Sequence, residues 1–341
     1  MTITEIAAQA GVSIGTVDRV LHNRGRVAPQ TRERVEAVIA QCGYQPNPLA
    51  RQLKRKGNFT AGVLLPMPDA GGYWQLLQSG MTEAQHMLNW FAIKLQFQYY
   101  DRCLPGSFAA AAEQLKTQFH PDAYVIAPVV PEEVLPFLSE LTDTPFLFVD
   151  SPLAQTEPVA TIAQNPYKAG FCAARVMYLL KGSDQYACLR MYANAYNLRE
   201  RYRGFRDFFK QDQSSSVIEA VCPATKEADV CAFLDDFTAR YPELSGMFVS
   251  HAEAYFVSKY LTFRGLKDRI ALIGFDNLPE NRSALADGSI DCIISQRPEY
   301  QGYASIYEIY RSCLLSQPSR ETIDIPIDIF FKENATDFVS I

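Results

Sequence analysis

The 341-residue chain contains no run of about 18 consecutive apolar residues, the length a helix needs to cross a bilayer. Its start also lacks the basic segment followed by an apolar stretch that marks an export signal. Together these absences predict a soluble cytoplasmic protein with no membrane partner. The eight cysteines (Cys42, Cys103, Cys172, Cys188, Cys222, Cys231, Cys292 and Cys313) show no C-x-x-C spacing, and several sit inside apolar runs. They read as reduced core residues rather than as a disulfide framework or a zinc site. The four histidines, His22, His86, His120 and His251, lie far apart without metal-ligand spacing. No G-x-x-x-x-G-K-S/T phosphate loop and no G-x-S-x-G elbow occurs. The expectation is a protein that is not an enzyme and carries no metal or cofactor.

Charge is present, but unevenly. Residues 1–58 hold nine Lys and Arg against four Asp and Glu, which leaves 23 against 34 for the remainder. A whole-chain balance of −6 therefore hides a basic head on an acidic body. Such a head suits a phosphate backbone, and the acidic body stays clear of it. Within the head, Ile3, Ile6, Ala7 and Ala10, then Val17, Val20 and Leu21, put an apolar stripe on each of two short helices. Thr2 and Glu5 read as a capping box, and Ser13 as the cap of the second helix. Gly11 supplies the freedom for a sharp corner and Val12 fills the space between the helices, the pattern of a helix-turn-helix. A third amphipathic helix runs from Pro29 to about Cys42, with Gly43 placed for a left-handed C-terminal cap.

These residues, with Tyr44-Gln-Pro-Asn-Pro-Leu-Ala-Arg-Gln-Leu-Lys54, resemble the DNA-binding head of the lac/gal repressor family, whose pattern runs A-G-V-S-x-x-T-V-S-R-V-L-N. Asp18 departs from it where a small hydroxyl residue is usual, and His22 where Asn is common. The resemblance implies that Ser13 fixes the start of a recognition helix and that Ile14, Gly15 and Arg19 occupy its specificity positions. Ile14 can touch a thymine methyl, and Arg19 can fork onto a guanine. Thr16, Asn23 and Arg26 fall at backbone-positioning places. Residues 47–54 carry an Asn cap, Pro48 at the first helical position, and Leu49, Ala50 and Leu53 at helical spacing. One or two turns are unstable alone. In the family this hinge helix orders against its twin on DNA, with Leu53 matching the minor-groove wedge, Ala50 facing the twin, and Arg51 and Lys54 near phosphates.

Beyond residue 58 the period changes. Short apolar runs, at Thr60–Pro66, Ile93–Tyr100, Ala123–Ala127, Phe146–Asp150, Tyr186–Met191, Val217–Val221, Gly246–Ser250, Ile270–Phe275 and Cys292–Ser295, alternate with helix-length segments. Two sets of βαβ units predict two doubly wound parallel-sheet lobes with a cleft between them, behind an all-α head. Val-Leu-Leu-Pro at 63–66, Ile-Gly-Phe-Asp at 273–276 and Ile-Ser-Gln-Arg-Pro at 294–298 also resemble the family's effector domain and the type I periplasmic sugar-binding proteins. That likeness implies three crossings between lobes, near residues 161, 290 and 322. The domains are then 1–46, a hinge at 47–58 and a body at 59–341, with lobe 1 at about 59–161 plus 291–321 and lobe 2 at about 162–290 plus 322–341.

Ligand-binding places follow from the same likeness. Tyr73 and Trp74 fall where stacking aromatics sit after the first strand, Asp150 ends the fourth strand, and Arg199, Asp276 and Gln296 match the ligand-binding Arg, Asp and Gln. A guanidinium and a carboxylate each grip adjacent hydroxyls by paired hydrogen bonds, which suits a sugar. His251-Ala252 replaces a usual Asn-Asp, and Gln164-Asn165 a frequent Asp-Asn. The resemblance as a whole implies a transcriptional regulator, most often a repressor, that binds a pseudo-palindromic operator as a homodimer under control of a small polar effector. A solute-binding transport component is the rival, and it requires an export signal.

Overall fold

The computed structural model describes residues 3–21, 27–42, 58–88, 92–191, 195–210, 212, 214–222, 227–319 and 321–335. The chain forms two compact units, Met1–Lys56 and Gly57–Ile341.

In the first unit, α1 (Ile3–Ala10), α2 (Ile14–Leu21) and α3 (Pro29–Cys42) close around Ile6, Ala7, Ala10, Val17, Val20, Val35 and Val38. Gly11 turns the corner with φ +63°, a conformation that a Cβ disfavours. Val12 N–H then donates to the Ala7 carbonyl, which closes the first helix. The capping role of Thr2 and the terminating role of Gly43 lie outside the described residues, as does the hinge segment.

The second unit is built from two six-stranded sheets. The first uses β1 (Phe59–Pro66), β2 (Ile93–Tyr100), β3 (Ala123–Ile126), β4 (Phe146–Val149), β5 (Thr161–Gln164) and β11 (Thr322–Ile325), in the order β11-β5-β4-β3-β1-β2, all parallel. The second uses β6 (Gln185–Arg190), β7 (Ser216–Val221), β8 (Gly246–Val249), β9 (Ala271–Phe275), β10 (Cys292–Ser295) and β12 (Asp328–Phe330), in the order β12-β10-β9-β8-β6-β7. Only β12 runs antiparallel to its neighbour. Parallel strands joined by helical crossovers are covered on both faces, so β3, β8, β9 and β10 are buried at every position. That double coverage explains their unbroken apolar runs.

The short strands β5, β11 and β12 are not among the nine runs read from the sequence. Each has only three or four residues, and β11 and β12 lie at sheet edges and mix polar with apolar residues, so neither carries a continuous apolar signal. They also move the crossings. The chain leaves the first sheet after Gln164, returns after Ser295 and leaves again after Ile325, somewhat later than the 161, 290 and 322 expected.

Each lobe contains one helix pair in unusually close contact. In lobe 1, α4 (Tyr73–Met87) crosses α12 (Pro298–Ile309), where Gly80 meets the Glu299 backbone and Gly302 meets the Leu77 backbone. In lobe 2, α7 (Pro166–Lys181) crosses α8 (Tyr196–Phe209), where Gly170 meets the Arg201 backbone and Gly204 the Tyr167 backbone. A methyl group at any of the four would overlap main-chain atoms, which cannot swing aside as a side-chain tip does. Overpacking costs roughly 1–3 kcal/mol in ordinary cores, and this contact lies at or above the top of that range. Gly302→Ala should therefore lower the urea midpoint with little change in m; an unchanged midpoint would contradict the close crossing.

Candidate functional site

The start of the helix that follows β1 and the segments just after β3, β4, β6, β8, β9 and β10 face one another across a cleft of about 890 Å³, lined by Tyr73, Trp74, Asp150, Arg201, Asp276 and Gln296 among others. Strand ends at the switch point of an open α/β sheet are where such folds bind ligands. Two of the lining residues are held in strained backbone. Asp150 follows β4 at φ +75° and Asp276 follows β9 at φ +64°. Aspartate tolerates this region better than bulkier residues, at about 1 kcal/mol each, and the turn ends the strand with its side chain directed into the cleft.

The polar groups form a connected network. Tyr73 Oη donates to Asp150 Oδ1 at 2.9 Å, and Asn197 Nδ2 donates to Asp150 Oδ2 at 3.0 Å and to its carbonyl at 3.1 Å. Arg201 donates from one Nη to the Ser250 carbonyl and from the other to Gln296 Oε1, both at 3.0 Å. Its guanidinium lies 3.5 Å from the centroid of the Phe275 ring. Gln296 Nε2 faces Asp276 Oδ2 at 3.4 Å, and Gln301 Nε2 holds the Gln296 carbonyl at 2.8 Å. All of these side chains are buried.

Burial dominates the electrostatics. It pushes the Asp276 carboxyl up to about 7, against the pull of Arg201 and the Gln296 bond. Asp150 is raised for the same reason, with Arg201 and Tyr73 opposing. Arg201 is lowered by its own burial, while Asp276 and Asp150 resist that. One guanidinium thus stands between two desolvated carboxyl groups. Several buried atoms have hydrogen-bonding capacity left over: Asp276 Oδ1, Asn197 Oδ1, Arg201 Nε and His251 Nε2. Such groups destabilise a protein unless something polar meets them.

Tyr73 and Trp74 open α4, pack edge-to-face at 4.9 Å between ring centroids, and belong both to the lobe 1 core and to the cleft wall. His251 lines the opposite wall with Nδ1 2.9 Å from Glu253 Oε2. Glu253 is held below its usual range even though burial opposes this, because His251 and the charge of Arg102 outweigh it.

One expected residue is displaced. Arg199 lies at the cleft mouth with an exposed side chain, and the buried guanidinium at the centre belongs to Arg201. Two residues on a helix are separated by about 200°, so the two arginines face opposite ways. The periodicity of α8 carries the signal: Asn197, Leu198, Arg201, Phe205 and Phe209 form its buried face, which places Arg201 within an apolar stripe. Asn197 and Arg102 likewise belong to the site but have no strand-end motif to flag them.

In the head, Ser13 Oγ accepts from Thr16 N–H at 3.2 Å and lies 2.9 Å from Thr16 Oγ1, capping α2. Ile14, Gly15 and Arg19 are exposed on this helix, and Ile14 leaves half of its surface bare. Arg19 Nε donates to the Gly15 carbonyl at 3.1 Å, which lays the side chain along the helix. Asn23, Arg26, Ala50, Arg51, Leu53 and Lys54 lie outside the described residues.

Comparison with known proteins gives both units a relationship. Residues 2–47 match the lacI family of bacterial regulatory proteins, and residues 61–313 match the periplasmic binding protein domain. The ribose operon repressor of Bacillus subtilis (strain 168) is 28% identical over 335 residues, 96% of each chain. A solved chain from Bacteroides fragilis, described as a LacI transcriptional regulator, is 27% identical with a TM-score of 0.78, covering 83% of this chain and 100% of that one. An ABC transporter solute binding protein from Burkholderia graminis C4D1M, in complex with D-arabinose, shares the fold at 21% identity and a TM-score of 0.77, covering 84% and 100%. No helix among the described residues is long and apolar enough to cross a membrane. Most of the chain, residues 61–313, belongs to the periplasmic binding protein domain family, and its head, residues 2–47, is a domain of the lacI family of bacterial regulatory proteins.

Proposed function

We propose that this protein is a sugar-responsive, DNA-binding transcriptional repressor that acts as a homodimer on a pseudo-palindromic operator. The observation that carries the effector half of this reading is the buried network around Arg201, with unfilled hydrogen-bonding capacity at Asp276 Oδ1, Asn197 Oδ1, Arg201 Nε and His251 Nε2. A polyol supplies converging hydroxyl groups that both donate and accept, and Tyr73 and Trp74 offer an aromatic wall to its ring face. The kinship with a ribose operon repressor favours an aldopentose. On the DNA side, the exposed Ile14, Gly15 and Arg19 supply the readout, Ser13 fixes the start of their helix and Thr16 contacts the backbone, with Asn23, Arg26, Ala50, Arg51, Leu53 and Lys54 assigned from the family pattern. Two heads on one twofold axis imply two half-sites. Lobe closure on the sugar then alters DNA affinity by a coupling energy of about 1–3 kcal/mol.

The test has two parts. At about 100 times its Kd, an aldopentose such as D-ribose should raise the Tm by about 5 °C. Failure of every pentose, hexose and sugar phosphate to do so would remove the sugar assignment. Separately, the protein should prefer fragments carrying its operator over random duplex at physiological salt, and equal binding to both would remove the DNA assignment.

A further inference from the structure

Gln164 stands where the chain first passes from one lobe to the other, at the end of β5, and it is buried. Its side-chain amide Nε2 makes two bonds. It donates to the Ser295 carbonyl at 2.9 Å and to the Pro326 carbonyl at 3.0 Å. Ser295 ends β10 at the second crossing and Pro326 follows β11 at the third. One primary amide therefore spends both its protons on tying the three inter-lobe connections together.

Further bonds complete the tie. Arg297, two residues after Ser295, forms a two-pronged ion pair with Asp328 at the third crossing, Nε to Oδ2 at 2.6 Å and Nη2 to Oδ1 at 2.7 Å. Between Ser295 and Arg297 stands Gln296, whose side chain meets Arg201 and Asp276 in the cleft. The second crossing thus presents one residue to the ligand network, while its neighbours are fastened to the other two crossings. Asn165, next in sequence after Gln164, accepts from Lys168 N–H and caps α7, so the first crossing leads straight into the lobe 2 helix pair.

We infer that Gln164 is the positioning residue of the hinge: by holding the Ser295 carbonyl it fixes where Gln296 sits in the cleft, and by bridging all three crossings it makes the lobes turn as one. An aspartate at this place could not do the same work, because a carboxylate accepts and cannot donate to two carbonyls. The inference extends the effector-cleft reading, yet its first test needs no ligand.

Gln164→Met keeps the length and volume of the side chain and removes both donors. In full-length protein without added sugar, amide hydrogen exchange should rise about tenfold at the crossings, residues 164–165, 295–297 and 327–328, with the interiors of β1 and β9 unchanged. Unchanged exchange at the crossings overturns the inference. A uniform rise through both sheets overturns it too, since Gln164 would then merely contribute to global stability. If the methionine variant folds poorly, Gln164→Asn, which draws the amide back by one methylene, is read by the same criteria. D-ribose binding supplies the second readout: Kd should weaken about tenfold while operator affinity without sugar stays within about twofold. Retained sugar affinity in a variant with loosened crossings would show that Gln164 does not position Gln296. Absence of ribose binding in the wild type would instead count against the sugar assignment, leaving the exchange result to decide the hinge.

Discussion

Arg201→Ala should abolish sugar binding and lower folding stability by about 3–5 kcal/mol, the range expected when one member of a buried charge group is removed. The guanidinium is bonded to the Ser250 carbonyl and to Gln296 Oε1, and lies against the Phe275 ring. It is also the positive charge that offsets the desolvation of Asp150 and Asp276, the largest opposing influence on each. Without it, two carboxyl groups lose their counter-ion, two acceptors lose their donors and a cavity opens beside Phe275. Arg201→Lys restores charge but not the planar fork, so it should recover part of the stability and little of the sugar affinity. Chemical denaturation and calorimetric titration measure the two quantities. The operator-binding head is a separate compact unit and should keep its affinity where the variant remains folded. A stability loss under about 1 kcal/mol for Arg201→Ala would mean that the network is far less coupled than its bonds imply.

The contrast between Arg199 and Arg201 marks how far the sequence reaches. Parallel sheets bury both faces, so runs such as Val63–Leu65 and Leu272–Phe275 stand out from their neighbours, and the family resemblance then points to strand-end residues such as Asp150, Asp276 and Gln296. The helix-turn-helix is equally legible, because Gly11, Ser13 and the valines of α2 each serve a local purpose in one short stretch. Residues whose role depends on the partner they meet in space are different. Arg201 is distinguished from Arg199 only by facing an apolar surface, and Asn197 only by reaching Asp150 from another lobe. Gln164 is informative in sequence solely as a departure; its bonds to Ser295 and Pro326 span more than a hundred residues of chain. Edge strands of three or four residues fail for a related reason, since β11 is half exposed, β12 has a single fully buried residue, and the pairing that defines each is long-range.

Sugar affinity should rise with pH up to about 7, and Asp276 is the reason. Its carboxyl is raised to about 7 in the folded protein by burial, against an ordinary value of 3.8. Between these values the folded state binds more protons than the unfolded state, so the stability contributed by neutral Asp276 is present at low pH and is lost as pH rises toward 7. Ionisation inside the cleft is therefore costly, by up to about 4 kcal/mol over that interval at 1.36 kcal/mol per unit. A ligand whose hydroxyls donate to the carboxylate stabilises the charged form and must displace the proton below about pH 7. Affinity then falls by up to tenfold for each pH unit below that point, and binding in buffers of different ionisation heat should reveal release of up to one proton. Asp276→Asn keeps the shape, lacks the titration and offers one acceptor where the carboxylate offers two. That variant should bind sugar about a hundredfold more weakly and show a flat pH profile near neutrality, while Arg201 keeps its bonds to Ser250 and Gln296. A wild-type affinity that does not vary between pH 5.5 and 8 would place the ligand's hydrogen bonds elsewhere in the cleft, and a pH dependence that survives in Asp276→Asn would move the titrating group to Asp150.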